Sequence, residues 1–204
     1  MIVAPRPQLQ CTLRTRSRVL GERTLLVGVV NVTPDSFSDG GRFFSVENAV
    51  EHALRLLGEG ADILDLGGES TRPGKHAPVS AQEELDRVLP VVATVLRERP
   101  GTIISIDTYK AETARAAVAA GAEIVNDVSG FLWDEGMAAT CAELQCGVVL
   151  MHTRGRSEEW RTLPQLAQSE VVPLVLRGLR VCVNTAQAAG VQPERIVLDP
   201  GFGF

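Results

Sequence analysis

The sequence predicts an α/β fold built on parallel strands. Short apolar segments alternate with longer helical segments, and several of the apolar segments are near-continuous runs of Val, Ile and Leu. Such runs are typical of strands buried on both faces, as in a parallel sheet. The chain has 204 residues with no internal linker or repeat, which fits a single domain spanning 1–204.

Six segments have the composition of buried strands. They are Leu25–Asn31, Asp62–Leu66, Thr102–Asp107, Glu123–Val128, Gly147–His152 and Arg195–Asp199. Ahead of them, Leu9–Val19 alternates between apolar and polar residues. This alternation predicts a short antiparallel hairpin that plugs one end of the sheet.

Helical segments separate the predicted strands. The first is predicted to start after a cap at Ser45, and the second after Ser80, which forms a capping box with Glu83. The other three are predicted over Lys110–Ala120, Asp134–Leu144 and about Pro164–Ala189. Proline inside a helix removes a hydrogen bond, so we expect kinks at Pro90 and Pro173.

Two architectures contain repeated βα units: an open doubly wound sheet and the closed TIM (β/α)8 barrel. Five of the six predicted strands end in or beside polar residues, and Asp65 and Glu69 flank the end of the other; the five sets are Asn31, Asp107, Asn126 with Asp127, His152 and Asp199. Polar chemistry at many strand ends is typical of a barrel, because an open sheet concentrates its site at one switch point. The sequence therefore predicts a TIM barrel that is incomplete here, with six strands, five intervening helices and an N-terminal hairpin, lacking the last two βα units.

Composition excludes several classes of function. The net charge of −5 and pI of about 5.3 argue against a basic nucleic-acid footprint. No apolar run reaches the ~18 residues of a membrane span, and the N-terminus lacks a signal-peptide pattern. The four cysteines include no C-x-x-C pair, which predicts reduced core residues. We expect a cytoplasmic protein without nucleic-acid or membrane partners.

Two long polar loops are candidates for binding chemistry. The first follows Asn31, whose amide oxygen is a candidate ligand for Mg2+; a turn-forming asparagine is the simpler alternative. The second offers Ser70, Thr71 and Arg72 after two glycines. Hydroxyls and a guanidinium are the groups that grip phosphate, so an anion clamp is favoured over a solvated loop.

Three further strand-end residues form a second set. Asp107, Asn126 and Asp199 face the same edge if their strands are parallel neighbours. A carboxylate accepts two N–H bonds and an amide both donates and accepts, so the set suits a flat heterocycle with an amino-pyrimidinone edge. His152 is either an acid–base or phosphate-binding group or, more simply, a structural histidine.

Six motifs, in order, resemble those of the dihydropteroate synthases. They are Gly28–Gly41, Gly68–Gly74, Ser105–Thr108, Asn126–Gly130, Leu150–His152 and Leu198–Phe204. The resemblance implies a TIM-barrel transferase of folate biosynthesis. Such an enzyme joins (7,8-dihydropterin-6-yl)methyl diphosphate to para-aminobenzoate and releases 7,8-dihydropteroate and pyrophosphate. It also implies Mg2+ as the cofactor and, for the full-length protein, a homodimer.

The resemblance also implies roles for individual residues. Asp107, Asn126 and Asp199 would hold the pterin ring, with Met151 beneath it, and Asn31 would bind Mg2+ and the diphosphate. Catalysis would rest on Asp107, Arg72 and Asn31. The remaining substrate contacts would come from Ser70, Thr71, Arg72 and Pro73 on the second loop and from Phe37 and Phe204 against the aminobenzoate ring.

Other family positions have no counterpart in this sequence. The family places one lysine after the Gly-Phe-Gly segment, another on strand seven, and an Arg-x-His pair on strand eight. All of these would follow Phe204. We therefore expect a fragment or an incomplete gene model. Two alternatives stay open: a non-catalytic truncated pterin-binding barrel and a corrinoid-linked methyltetrahydrofolate methyltransferase.

Overall fold

A six-stranded parallel sheet with helices between its strands forms the centre of the protein. The structure is a computed structural model, and it describes residues 6–33, 42–69, 79–156, 159–160 and 162–202. The strands are β1 Leu9–Thr12, β2 Ser17–Leu20, β3 Val27–Asn31, β4 Ile63–Gly67, β5 Ile103–Asp107, β6 Ile124–Asp127, β7 Gly147–Met151 and β8 Ile196–Asp199. The helices are α1 Arg42–Gly58, α2 Ala81–Glu98, α3 Ala111–Ala119, α4 Met137–Leu144 and α5 Gln168–Ala188.

The sheet follows the chain order from β3 to β8, and every neighbouring pair is parallel. This is the βα repeat that the sequence predicts. Within the described residues the sheet does not close on itself, because β3 and β8 each pair with only one strand. The predicted parallel α/β fold is confirmed.

Side chains alternate between two faces of the sheet. One face packs on the helices through fully buried residues such as Leu64, Ile106 and Leu150. Because successive side chains of a strand point to opposite faces, Asp65, Asp107 and the other alternate positions lie on the opposite, inner face. The candidate residues Asn31, Asp107, Asn126 and Asp199 are on this inner face, whereas His152, which follows Met151, is not.

The hairpin β1–β2 covers the inner face at the amino ends of the strands. Cys11 and Leu13 pack there against Ile103 and Ile124. Glu123 fixes the hairpin, since one carboxylate oxygen accepts a bond of 2.8 Å from the backbone N–H of Thr15 and the other accepts 3.1 Å from Arg16. The predicted plug at one end is confirmed, and it leaves the carboxyl ends of the strands for a site.

The helix boundaries differ from the predictions at several starts. The α1 helix begins at Arg42, so Ser45 lies inside it and is not its cap. The α4 helix begins at Met137 and not at Asp134, whose carboxylate accepts the N–H groups of Ala111 and Gly136. The last helix begins at Gln168, later than the predicted Pro164. These differences arise because local hydrogen bonds set the first residue of a helix, and the spacing of apolar residues does not determine those bonds.

The internal prolines do not end their helices. Both α2 with Pro90 and α5 with Pro173 continue past the proline. Ser80 caps α2, since its hydroxyl accepts the N–H of Glu83 at 3.1 Å. All four cysteines are buried and free of disulfides. Across the described ranges, no helix combines the length and apolar character that a bilayer crossing needs.

Candidate active site at the carboxyl edge of the sheet

The predicted polar residues lie on one face near one edge of the sheet. Asn31, Gly67, Asp107 and Asn126 are register partners across four neighbouring strands. On β7 the partner of Asn126 is Val149. Met151, two residues nearer the carboxyl edge on the same strand, pairs with Asp199 on β8. By strand alternation all of these residues point to the inner face. The structure thus brings the three predicted pterin-binding residues to one side of the sheet.

Gly67 leaves space between two oxygen-bearing side chains. A Cβ atom at this position would lie 3.3 Å from Oδ2 of Asp107 and 3.7 Å from Oδ1 of Asn31. Any larger residue would therefore fill the gap that these oxygens border. A glycine here keeps a small polar space open at the carboxyl ends of β3, β4 and β5.

Asp65 is a site residue to which the sequence analysis assigned no binding role. Its Oδ2 accepts a hydrogen bond of 3.0 Å from Nδ2 of Asn126, and the residue is only 7% exposed. Burial raises its pKa, opposed by hydrogen bonds from Ser105 and Asn126. The available signal was an acidic residue in the middle of an apolar strand, where a carboxylate needs a partner.

Negative charge is concentrated around Asp107. Burial raises its pKa well above the usual value, and four neighbouring carboxylates raise it further, those of Asp65, Glu84, Asp127 and Glu69. An inner carboxylate of this kind is stabilised as an anion when a ligand brings N–H donors or positive charge. The site is therefore suited to a ligand with an N–H-rich edge.

A lysine cluster lies beside this site and was also missed; it consists of Glu69, Glu84, Tyr109, Lys110 and Thr113. The ammonium of Lys110 donates to Glu69 and, at 2.8 Å, to Glu84. Tyr109 donates to both oxygens of Glu69 at 3.0 and 3.1 Å, and Thr113 donates to Glu84 at 3.1 Å. The cluster joins the segment after β4 to the segment after β5 and to α2.

The ionisation of this cluster follows from its contacts. Burial acts to lower the pKa of Lys110, but the hydrogen bonds and charges of Glu69 and Glu84 outweigh it and raise the pKa. The pKa of Tyr109 is raised to about 12, first by burial. Lys110 is therefore a permanent cation between two carboxylates at neutral pH.

Two other strand-end groups have structural contacts. The backbone N–H of His152 donates to the carbonyl of Asp199 at 2.9 Å, and a Cβ at Gly178 would lie 2.2 Å from its ring. Burial lowers the pKa of His152, with a smaller contribution from Arg154. These contacts favour the structural interpretation of His152. Asp199 also caps a turn, since Oδ1 accepts the N–H of Gly201 at 2.8 Å.

Several predicted site residues lie outside the described residues. These are Phe37, Ser70, Thr71, Arg72, Pro73 and Phe204. Met151 is described and is almost fully buried, with 2% of its surface exposed. In the part of the chain that the structure describes, no group of three or more His, Cys, Asp or Glu residues is arranged to hold a metal ion.

A parallel βα sheet with its polar site at the carboxyl ends of several strands is the arrangement of (β/α)8-barrel enzymes. Comparison with sequence families agrees, since the family described as pterin binding enzyme matches residues 27–204. The chain belongs to this family.

Curated relatives of the chain are dihydropteroate synthases. The one from Clostridium beijerinckii is 44% identical over 185 residues, which cover 91% of this chain and 65% of the relative. The one from Bacillus subtilis is 46% identical over 183 residues, which cover 90% of this chain and 60% of the relative. The chain thus spans less than two thirds of the length of these relatives.

Solved structures of dihydropteroate synthases share the fold. The enzyme from Xanthomonas albilineans with 4-aminobenzoic acid matches with a TM-score of 0.83 and 46% identity, over 98% of this chain and 68% of that chain. The Yersinia pestis enzyme in a sulfonamide complex also gives 0.83, with 38% identity over 96% of this chain and 69% of that chain. These matches confirm the predicted barrel architecture.

Proposed function

We propose that this chain carries the pterin-binding part of a dihydropteroate synthase. The reaction would join (7,8-dihydropterin-6-yl)methyl diphosphate to para-aminobenzoate and release 7,8-dihydropteroate and pyrophosphate. The observation that carries the proposal is the row of Asp107, Asn126 and Asp65 on the inner face of the sheet. Its support is the family match, together with relatives that bind 4-aminobenzoic acid and 7,8-dihydropteroate.

The polar row complements the pyrimidinone side of a pterin. Asp107 offers a carboxylate that accepts two parallel N–H bonds. The amide nitrogen of Asn126 already donates to Asp65, which leaves its carbonyl oxygen to accept from the ligand. Asp199 would extend this edge from β8, and Met151 would contact the flat ring.

The same residues favour the chemical step. The aminobenzoate amine is neutral at pH 7, so the nucleophile needs no strong base, and the barrier lies in expelling the diphosphate. As the C–O bond breaks, positive charge develops on the pterin methylene. The carboxylate of Asp107 has the sign that stabilises this charge.

The oxygen donors at this edge fit a Mg2+ ion that takes only some of its ligands from the protein. Asn31 and Asp107 present hard oxygen atoms on either side of the space left by Gly67, and Mg2+ is commonly held by one or two protein oxygens, water and substrate phosphates. Asn31 would hold the ion, which would neutralise charge on the leaving diphosphate. The other diphosphate and aminobenzoate contacts proposed from the family resemblance are Ser70, Thr71, Arg72, Pro73, Phe37 and Phe204. The homodimer and the cytoplasmic location stay predictions.

The test combines binding with turnover. The 204-residue chain is titrated with the pterin diphosphate and then incubated with both substrates while pyrophosphate release is measured. Asp107→Ala should abolish tight pterin binding, whereas Asp62→Asn, at the amino edge, should not affect it. Binding without pyrophosphate release would favour the non-catalytic alternative. Methyl transfer from methyltetrahydrofolate to a corrinoid, or no pterin binding at all, would overturn the proposal.

A further inference from the structure

The lysine cluster joins three elements around the candidate site. Glu69 comes two residues after Gly67, the last residue of β4, and Lys110 comes three residues after Asp107, the last residue of β5. Glu84 lies in the first turn of α2. One ammonium therefore links the two strand exits that border the space beside Asp107 to the helix that packs behind them.

The cluster is too buried to be an ordinary surface ion pair. The side chains of Lys110 and Glu69 are 16% and 13% exposed, and that of Glu84 is 1% exposed. Exposed pairs contribute little to a structure, but breaking a buried pair leaves an uncompensated charge inside the protein. The ring of Tyr109 lies under the ammonium at 4.4 Å and adds a further contact. The ammonium of Lys110 is therefore held by three groups, which are the two carboxylates and the ring.

The segment that the cluster holds forms one wall of the site. A Cβ at Gly68 would lie 2.9 Å from Cγ of Glu84, so the backbone after β4 packs directly on α2. The carbonyl of Gly68 accepts a bond of 2.6 Å from Arg87 on the same helix. Gly67, one residue earlier, borders Asp107. A movement of Glu69 would therefore be transmitted through two glycines to the wall beside Asp107.

We propose that Lys110 is a positioning residue for the pterin pocket, which holds Glu69 and Glu84 together and thereby fixes the backbone of Gly67 and Gly68 against Asp107. This inference rests on the proposed function, because it assigns the pocket to a pterin. Lys110 makes no contact with the ligand in this scheme and acts through Glu69. The geometry also explains why the chain tolerates a buried carboxylate on α2.

The test measures the dissociation constant of the pterin diphosphate by fluorescence titration of the 204-residue chain. Lys110→Met should raise this constant by about tenfold, the loss expected when a misplaced wall weakens a charged hydrogen bond between Asp107 and the ligand. Lys110→Arg keeps a cation that bridges two carboxylates and should restore most of the affinity. Arg115→Met is the matched control, because it removes another cation from the α3 region whose partner Glu143 is exposed.

A double-variant cycle separates positioning from general destabilisation. If Lys110 acts through Glu69, combining Lys110→Met with Glu69→Gln should weaken binding no more than Lys110→Met alone. Three results would each overturn the inference. They are unchanged affinity in folded Lys110→Met, losses of affinity that add fully in the double variant, and a folded Lys110→Arg that binds as poorly as Lys110→Met. If Lys110→Met does not fold, Glu69→Gln is the deciding variant. Weaker pterin binding by Glu69→Gln would support the inference, and unchanged binding would overturn it. Failure of the unmodified chain to bind the pterin would instead count against the proposed function.

Discussion

Replacing Asp107 with asparagine is expected to stabilise the folded protein while weakening ligand binding. The substitution keeps the shape of the side chain and removes its charge. In the native site that charge is buried, and the negative charges of Asp65, Glu84, Asp127 and Glu69 oppose it further. Each unit by which folding raises a pKa corresponds to about 1.4 kcal/mol by which the charged form destabilises the fold. Because Asp107 keeps some contact with solvent, we expect a modest gain in unfolding free energy, about 1 kcal/mol.

The sign of this effect depends on pH. The pKa of Asp107 is raised in the folded state, so the folded protein binds a proton over a pH range in which the unfolded chain has lost it. Its contribution to stability is complete below the unfolded pKa and is lost as the pH rises through the folded pKa. The asparagine variant has no such proton. Its stability advantage should therefore grow as the pH rises above about 4 and become constant above the folded pKa.

Ligand binding should change in the opposite direction. A hydrogen bond to a charged group contributes about 1.5–3 kcal/mol, which corresponds to a loss of about ten- to 150-fold in affinity for the pterin diphosphate. Urea unfolding at a series of pH values gives the stability, and fluorescence titration gives the dissociation constant. A stable protein with weaker function is the pattern expected at a site that carries uncompensated charge.

The control is an acid with the opposite environment. Arg23 and the N–H of Leu26 hold the pKa of Asp62 at about 2, so this acid stabilises the fold above its unfolded pKa and loses that contribution as the pH falls. Asp62→Asn should therefore lower stability at neutral pH and leave pterin affinity unchanged. The reasoning is refuted if folded Asp107→Asn is less stable than the parent at neutral pH, or if it binds the pterin diphosphate equally well.

Three further outcomes are expected. Asn126→Ala removes the amide that donates to Oδ2 of Asp65 and should cost about 1–3 kcal/mol of stability as well as pterin affinity, measured by urea unfolding and titration. Glu123→Gln weakens the bonds to Thr15 and Arg16 that fix the hairpin and should lower the unfolding free energy by about 1–3 kcal/mol at neutral pH. The loss should be smaller in acid, because burial raises the pKa of Glu123 but the bonds from Thr15 and Arg16 outweigh it and lower the pKa. Removing Mg2+ with a chelator should weaken binding of the pterin diphosphate but not of the diphosphate-free pterin alcohol; equal effects on both would exclude the proposed role of Asn31.

The strands and the shared edge were predictable because both depend on short-range pattern. Apolar runs identify β4, β5 and β7, and parallel strands place their carboxyl ends at one edge whatever their exact register. This is why Asp107 and Asn126 were expected together, and the structure makes them register partners. The hydrogen bond from Asn126 to Asp65 was not predicted, because it joins β6 to β4 across the intervening strand. That contact depends on the curvature of the sheet, and the spacing of residues along a single strand does not determine this curvature.

The lysine cluster shows where a sequence signal existed but was incomplete. Along α2, Glu84 precedes Val88, Val91 and Val95 at helical spacing, and all four are buried in the structure. The pattern therefore places a carboxylate on the apolar face of a helix, where a charge needs a partner. The partner is Lys110, 26 residues further along the chain and on a different element. Every basic residue of the sequence is a candidate until the packing of α2 on the segment after β5 is known, so the sequence predicts the need for a cation but not its identity.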